Sequence, residues 1–185
     1  AAMVLWHGAL SDAWGRKRVI VASMLLFALA SLVCVFAGSI DVLLAGRALQ
    51  GISAGAGMVV GRAVVRDLHE GPAAQRLMSH VSMTFALGPA LAPMLGGWIF
   101  AAFGWRAVFV FLTLLGLGLA AVTARLLHET LPPAARQPLH PVPLARRYGQ
   151  VLSTPGFLLL TFAGGFGFNA YFIYVLSAPV FLIQH

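Results

Sequence analysis

Ser82–Phe100, SMTFALGPALAPMLGGWIF, is the stretch whose reading decides the fold. It is long enough to cross a bilayer, since about 20 apolar residues at 1.5 Å each match a hydrocarbon core of roughly 30 Å. Yet it holds Pro89 and Pro93 together with Gly88, Gly96 and Gly97. A soluble helix would break there. Inside a membrane such residues are tolerated, because neighbouring helices and local relaxation re-satisfy the freed backbone groups. The pattern predicts a bent transmembrane helix with a nearly bare face at Gly88, Gly96 and Gly97, where another helix backbone can come close. Such a helix is either a proline-rich packing helix or a surface on which a partner slides or rocks.

Working outward, the 185 residues are 60% hydrophobic and 9% charged, against about a quarter charged in a soluble globular protein. The chain therefore reads as an all-α transmembrane bundle. Its net charge of +7 would point to nucleic acid in a soluble domain. Here the basic residues sit between apolar runs, where they orient helices in the bilayer, so the bilayer and not nucleic acid is the expected partner. The lone Cys34 sits in an apolar run, forms no intrachain disulfide or cysteine metal cluster, and reads as a small buried side chain. No cofactor or metal is expected.

Apolar segments run over Ala1 to about Leu10, Val19–Gly38, Val42–Val65, Leu77–Phe100, Ala107–Leu127 and Phe157–Ile183, one partial and five complete spans. Because the chain opens inside an apolar segment and stops just after one, it is expected to be an internal, truncated piece of a longer protein. Short connections at Ser39–Asp41 and Phe103–Arg106 alternate with longer basic ones. Arg16, Lys17, Arg18, Arg62, Arg66, Arg76, Arg125, Arg136, Arg146 and Arg147 all fall on one side, and Arg106 alone on the other. The positive-inside rule makes the first side cytoplasmic. Residues 1–127 are then a first bundle and 156–185 the first helix of a second. Residues 128–155, with Pro132, Pro133, Pro138, Pro141 and Pro143, read as a semi-rigid cytoplasmic linker between them.

The first basic loop reads GALSDAWGRKR from Gly8 to Arg18. Gly8 permits close helix contact, Asp12 complements a helix N-terminus, and Gly15 permits a tight reversal. The third segment carries Arg47, and an intramembrane charge costs about 2.5 to 3.5 kcal/mol on insertion scales. Arg47 either snorkels to the outer end or lines a cavity with Gln50, Ala54 and Met58, which recur at helical spacing. Gly51 with Gly55 and Gly57 with Gly61 are expected to form close-packing grooves. In the last segment Asn169, Tyr171 and Tyr174 serve either hydrogen bonds between helices or contacts to an aromatic ligand. His7 and His80 lie near the basic ends of spans, with an interfacial structural role expected.

These motifs together resemble the major facilitator superfamily. The loop is similar to that family's G-x-L-[AS]-D-[RK]-x-G-R-[RK] signature, with a departure at Ala13 where the family carries Arg or Lys. Arg47-Ala-Leu-Gln50-Gly51 resembles its R-x-L-Q-G motif. Gly61–Leu68, Gly88-Pro89-x-x-x-Pro93-x-x-Gly96-Gly97, Trp105–Phe109 and Ala163–Pro179 resemble the Bcr/CflA drug resistance group, and the resemblance covers the second to the seventh helix. It implies a proton-coupled multidrug exporter of the bacterial inner membrane, exchanging protons for small amphipathic drugs by alternating access. It further implies a cytoplasmic gate at Gly8, Asp12, Gly15 and Arg16, and proton coupling or cavity lining by Arg47, Gln50 and Met58. The hinge of an antiporter would lie at Gly88, Pro89, Pro93, Gly96 and Gly97, and substrate contacts at Asn169, Tyr171 and Tyr174.

No carboxylate lies inside a complete span, so the acid that carries the proton is expected outside these residues. The other readings are a uniporter or symporter for a small metabolite, a membrane-embedded enzyme and a transport-dead scaffold. The sequence has no H-E-x-x-H and no intramembrane Asp pair, so no enzymatic activity is expected.

Overall fold

The computed structural model describes residues 2–137 and 149–184, with the side chains of 2–5, 90, 168, 171–172 and 174–184 outside the description. The helices are α1 (Ala2–Trp14), α2 (Arg16–Val35), α3 (Ile40–Leu68), α4 (Gly71–Phe103), α5 (Trp105–Leu126) and α6 (Pro155–Gln184). A 3-10 turn at Pro133–Ala135 follows α5, and no strand occurs among the described residues. Helices α2 to α5 are each long and apolar enough to cross a membrane.

Each helix ends where the local chemistry ends it. Gly15, at φ +100°, separates α1 from α2, and Gly104, at φ +80°, separates α4 from α5; neither backbone suits a side chain with a Cβ. Ser39 caps α3 by accepting from the Val42 N–H at 3.4 Å, while Asp41 in the first turn and Arg66 in the last match the helix dipole. α4 runs unbroken through Pro89 and Pro93. Those prolines leave the carbonyls of Phe85 and Pro89 without their usual i+4 donors. At 33 residues and 1.5 Å per residue, α4 is about 50 Å long and extends well past the hydrocarbon core.

The chain divides into two compact units, Ala1–Leu139 and His140–His185. In the first, α2 is the central helix, packed on α1, α3 and α5, while α4 lies against α5 and α3 and α1 also meets α3. Val19 and Ile20 of α2 join Val60 and Val64 of α3 in a buried apolar cluster. Elsewhere the contacts are made by small side chains. A Cβ on Gly46 would strike the Cys34 sulfur and come within 3.3 Å of the Ala30 carbonyl oxygen, and one on Gly116 would lie 3.1 Å from the Ala28 Cβ. Among the described residues no helix fills the expected grooves at Gly51, Gly57 and Gly61, where a Cβ would meet nothing within 4 Å.

Large apolar side chains such as Leu29, Phe36, Trp98 and Leu126 point outward. That inversion is how a bundle solvated by lipid is built, because lipid offers no hydrophobic drive between helices and close backbone packing must supply the contact. At the end opposite the basic loops, Arg106 closes α2. Its Nε donates to the Val35 carbonyl at 3.2 Å and its Nη2 to that of Ala37 at 3.4 Å, with the guanidinium 4.5 Å from the Trp105 ring centroid.

The second unit holds α6, in which the Phe162 and Phe166 rings lie 6.5 Å apart. Of the stretch read as a linker, 138–148 lies outside the described residues, whereas 128–137 belongs to the first unit. There the Gln137 N–H donates to the Asp12 carbonyl at 3.0 Å.

Candidate functional site

At the basic end of the first unit, Arg16 is the hub of a polar cluster. Its Nη1 donates to Ser11 Oγ at 2.6 Å and to Asp12 Oδ1 at 2.5 Å, and its Nε donates to Asp67 Oδ2 at 3.1 Å. The Arg16 backbone N–H donates to Glu129 Oε1 at 2.8 Å, and Thr130 Oγ1 donates to Asp67 Oδ2 at 3.1 Å. The protein has five carboxylates, and three of them converge on this one residue. Arg16 is 9% exposed, which is affordable only because its charge is paired and its donors are used. Gly15 makes room for this arrangement, since any Cβ there would collide with the Glu129 carboxylate. The cluster therefore ties α1, α2, the last turn of α3 and the segment after α5 into one end.

Of the expected gate residues, Asp12, Gly15 and Arg16 are in this cluster. Gly8 lies just above it, where a Cβ would be 3.8 Å from Val59 Cγ1 and where its carbonyl accepts from Ser11 Oγ at 2.8 Å. Sequence reading missed Ser11, Asp67, Glu129 and Thr130. The available signal was the scarcity of acids, since a carboxylate at the basic end of an apolar bundle needs a cation to face.

Toward the other end of α3 a second chain of hydrogen bonds crosses to α2. Arg47 Nη1 donates to Gln50 Oε1 at 2.8 Å, Gln50 Nε2 to Ser31 Oγ at 2.6 Å, and Ser31 Oγ to the Phe27 carbonyl at 2.8 Å. Gln50 is 3% exposed, turned into the α2–α3 contact, while Arg47 stays exposed. The shared face expected for Arg47, Gln50, Ala54 and Met58 is thus divided. Gln50 packs inward because its amide finds a donor and an acceptor there, and Met58 lies about two turns further along.

Met58 lines a groove of about 760 Å³ between α3 and α4, with Ala54, Arg62, His80, Phe85, Gly88 and Pro89 among its walls. His80 Nδ1 lies 2.8 Å from the Arg76 carbonyl oxygen, so that nitrogen carries the proton and Nε2 is left for other partners. Pro93, Gly96 and Gly97 continue along α4 beyond the groove, and a Cβ on Gly88, Gly96 or Gly97 would meet nothing within 4 Å. Asn169 Nδ2 donates to the Gly165 carbonyl of its own helix at 2.8 Å. The side chains of Tyr171 and Tyr174 lie outside the described residues. Among the described residues no group of three His, Cys, Asp or Glu side chains is placed to hold a metal ion.

Lipid-adapted helices packed through small residues, closed at the basic end by a buried arginine, define a multi-pass helical membrane protein. The Major Facilitator Superfamily model matches residues 1–185, and the chain belongs to that family. It is 36% identical over 93% of its length to the uncharacterized MFS-type transporter YdgK of Bacillus subtilis, covering 43% of that protein. It is 39% identical over 69% of its length to multidrug resistance protein D of Escherichia coli, covering 32% of it. A bicyclomycin resistance protein homolog of Haemophilus influenzae is 31% identical over 97% of the chain, which covers 45% of that relative. The chain thus spans less than half the length of each of these relatives.

Proposed function

We propose that this chain forms part of a proton-coupled multidrug exporter of the bacterial inner membrane, working by alternating access. The observation that carries the reading is the groove between α3 and α4. Its volume falls within the roughly 300–1,000 Å³ of small-molecule sites. Its walls combine Met58 and Phe85 with Gly88 and Pro89 of the Gly/Pro helix, so the surface that holds a cargo is also one that moves. Methionine and aromatic walls adapt to varied amphipathic shapes. Arg62 and His80 are among the lining residues and no carboxylate is; this favours neutral or anionic amphipathic drugs over organic cations. Relatives named for multidrug and bicyclomycin resistance support the class of cargo.

In this reading the Arg16 cluster is the cytoplasmic gate element, holding the ends of three helices as one rigid block that rocks as a body. Arg47 and Gln50 form the coupling ladder, and Pro89, Pro93, Gly96 and Gly97 the hinge surface for the second bundle. The test is export of a fluorescent amphipathic drug from cells making the full-length protein, with the proton gradient intact and collapsed. Export that stops on collapse is the expected result. Export that is indifferent to the gradient, or no export at all, overturns the reading.

A further inference from the structure

Beside the Arg16 cluster, on the outer surface of the first unit, the basic ends of α2 and α5 enclose a separate groove of about 530 Å³. Lys17, Arg18 and Arg136 line it with Glu129, and Val21 and Leu25 form part of its apolar wall. The three cations have no ion-pair partner among the described residues, and the Arg136 Nε is buried without any hydrogen-bond partner. Glu129, whose Oε1 accepts the N–H groups of Arg16 and Leu131 at 2.8 and 3.2 Å, offsets one of the three charges. The groove is left with an excess of two positive charges.

Lys17, Val21 and Leu25 recur at i, i+4 and i+8, so they form one stripe down α2. The stripe starts at a cation and runs about 12 Å into surface where Leu25 is 47% exposed. A free phosphate would use the cations and have no need of the stripe. A molecule with an anionic head and an apolar tail uses both, and basic pockets between helices on the cytoplasmic side suit such headgroups.

We propose that this groove seats an anionic phospholipid of the cytoplasmic leaflet, its phosphodiester held by Lys17, Arg18 and Arg136 and one acyl chain laid along Val21 and Leu25. This goes beyond the transport reading and rests only on the helices spanning a bilayer with their basic ends at the headgroup level.

The test uses the full-length protein in nanodiscs of equal phosphatidylglycerol and phosphatidylcholine, with retained lipids counted by native mass spectrometry. Phosphatidylglycerol is expected to be retained in preference to phosphatidylcholine. The triple variant Lys17→Gln/Arg18→Gln/Arg136→Gln is expected to lose that preference at least tenfold, and Arg76→Gln, a charge loss elsewhere at the same end, to keep it. Equal retention of both lipids by the wild type, an undiminished preference in the triple variant, or displacement of the lipid by millimolar inorganic phosphate overturns the proposal. Because removing three topogenic charges can prevent insertion, the wild type is also labelled with a phosphatidylglycerol carrying a photoreactive acyl chain. Cross-links are expected on the peptide containing Val21 and Leu25, and labelling confined to other helices overturns the proposal independently.

Discussion

Arg16, the first residue of α2, donates its Nε to Oδ2 of Asp67 in the last turn of α3 at 3.1 Å, across 51 residues of chain. Their side chains are 11% and 23% exposed, so the pair is sheltered, and loss of one partner leaves the other charge poorly solvated. Asp67→Asn is expected to cost about 1.5–3 kcal/mol, the range for a hydrogen bond to a charged group, seen as a lower unfolding temperature of the detergent-solubilised protein. Arg16→Lys is not expected to be a mild change, because one ammonium cannot serve Ser11, Asp12 and Asp67 with the fork of a guanidinium. An unchanged unfolding temperature in both variants would show that the pair holds nothing together.

Gly15 makes that cluster possible in two separable ways. Its φ of +100° and ψ of 149° lie in a region essentially reserved for glycine, which costs other residues of order 1–3 kcal/mol. The Cβ of Gly15→Ala would also run into the Glu129 carboxylate. The substitution is expected to destabilise by at least the backbone cost, and to cost less, by the steric part alone, when made in a Glu129→Ala background and measured against Glu129→Ala, which itself loses the bonds to the Arg16 and Leu131 N–H groups. A double variant as stable in thermal unfolding as Glu129→Ala alone would place the whole cost in the collision and none in the backbone.

Glycines on α4 and α5 are expected to separate folding from movement. Gly116 faces Ala28 with no room for a side chain, whereas Gly97 faces open space in this unit. Gly116→Leu should therefore lower the yield of folded protein and its unfolding temperature by forcing α2 and α5 apart, as overpacking does at a cost of typically 1–3 kcal/mol. Gly97→Leu should leave both unchanged and reduce export in the full-length protein, if that face meets the second bundle. Equal export by Gly97→Leu and wild type would remove the hinge role from this glycine.

What could be read from the sequence was whatever depends on near neighbours. Gly15, Ser39 and Gly104 mark the helix ends, because a positive φ or a side-chain cap is a local requirement, and the runs of apolar residues between them place the spans α2 to α5. Choosing which glycines pack could not be done that way. On α3 the buried residues Gly46, Gln50, Ser53, Ala56, Val60 and Ala63 follow one stripe of i+3 and i+4 steps, while Gly57 and Gly61 sit beside it. Identifying that stripe depends on what α2 offers, namely Ala30, Ser31 and Cys34. The Arg16 cluster was half legible for the same reason: Asp12, Gly15 and Arg16 lie within five residues of sequence, but Asp67 and Glu129 arrive from 51 and 113 residues away.

Gln50 is the joint between an exposed cation and a buried hydroxyl, and it decides what Arg47 does. If the ladder from Arg47 through Gln50 to Ser31 couples protons to transport, Arg47→Ala abolishes gradient-driven export while leaving membrane insertion intact, because Arg47 is exposed and its loss opens no cavity. Gln50→Ala is expected to cut export as well and to cost about 0.6 kcal/mol of stability for the one interhelical bond to Ser31, plus whatever its bond to Arg47 within α3 adds. In a single pathway the double variant is no worse in export than Arg47→Ala alone, a non-additivity that independent sites do not show. Should Arg47 only snorkel outward, Arg47→Ala exports at the normal rate, and Gln50→Ala affects stability alone. Initial rates of drug efflux from energised cells, normalised to the amount of protein in the membrane, distinguish the two.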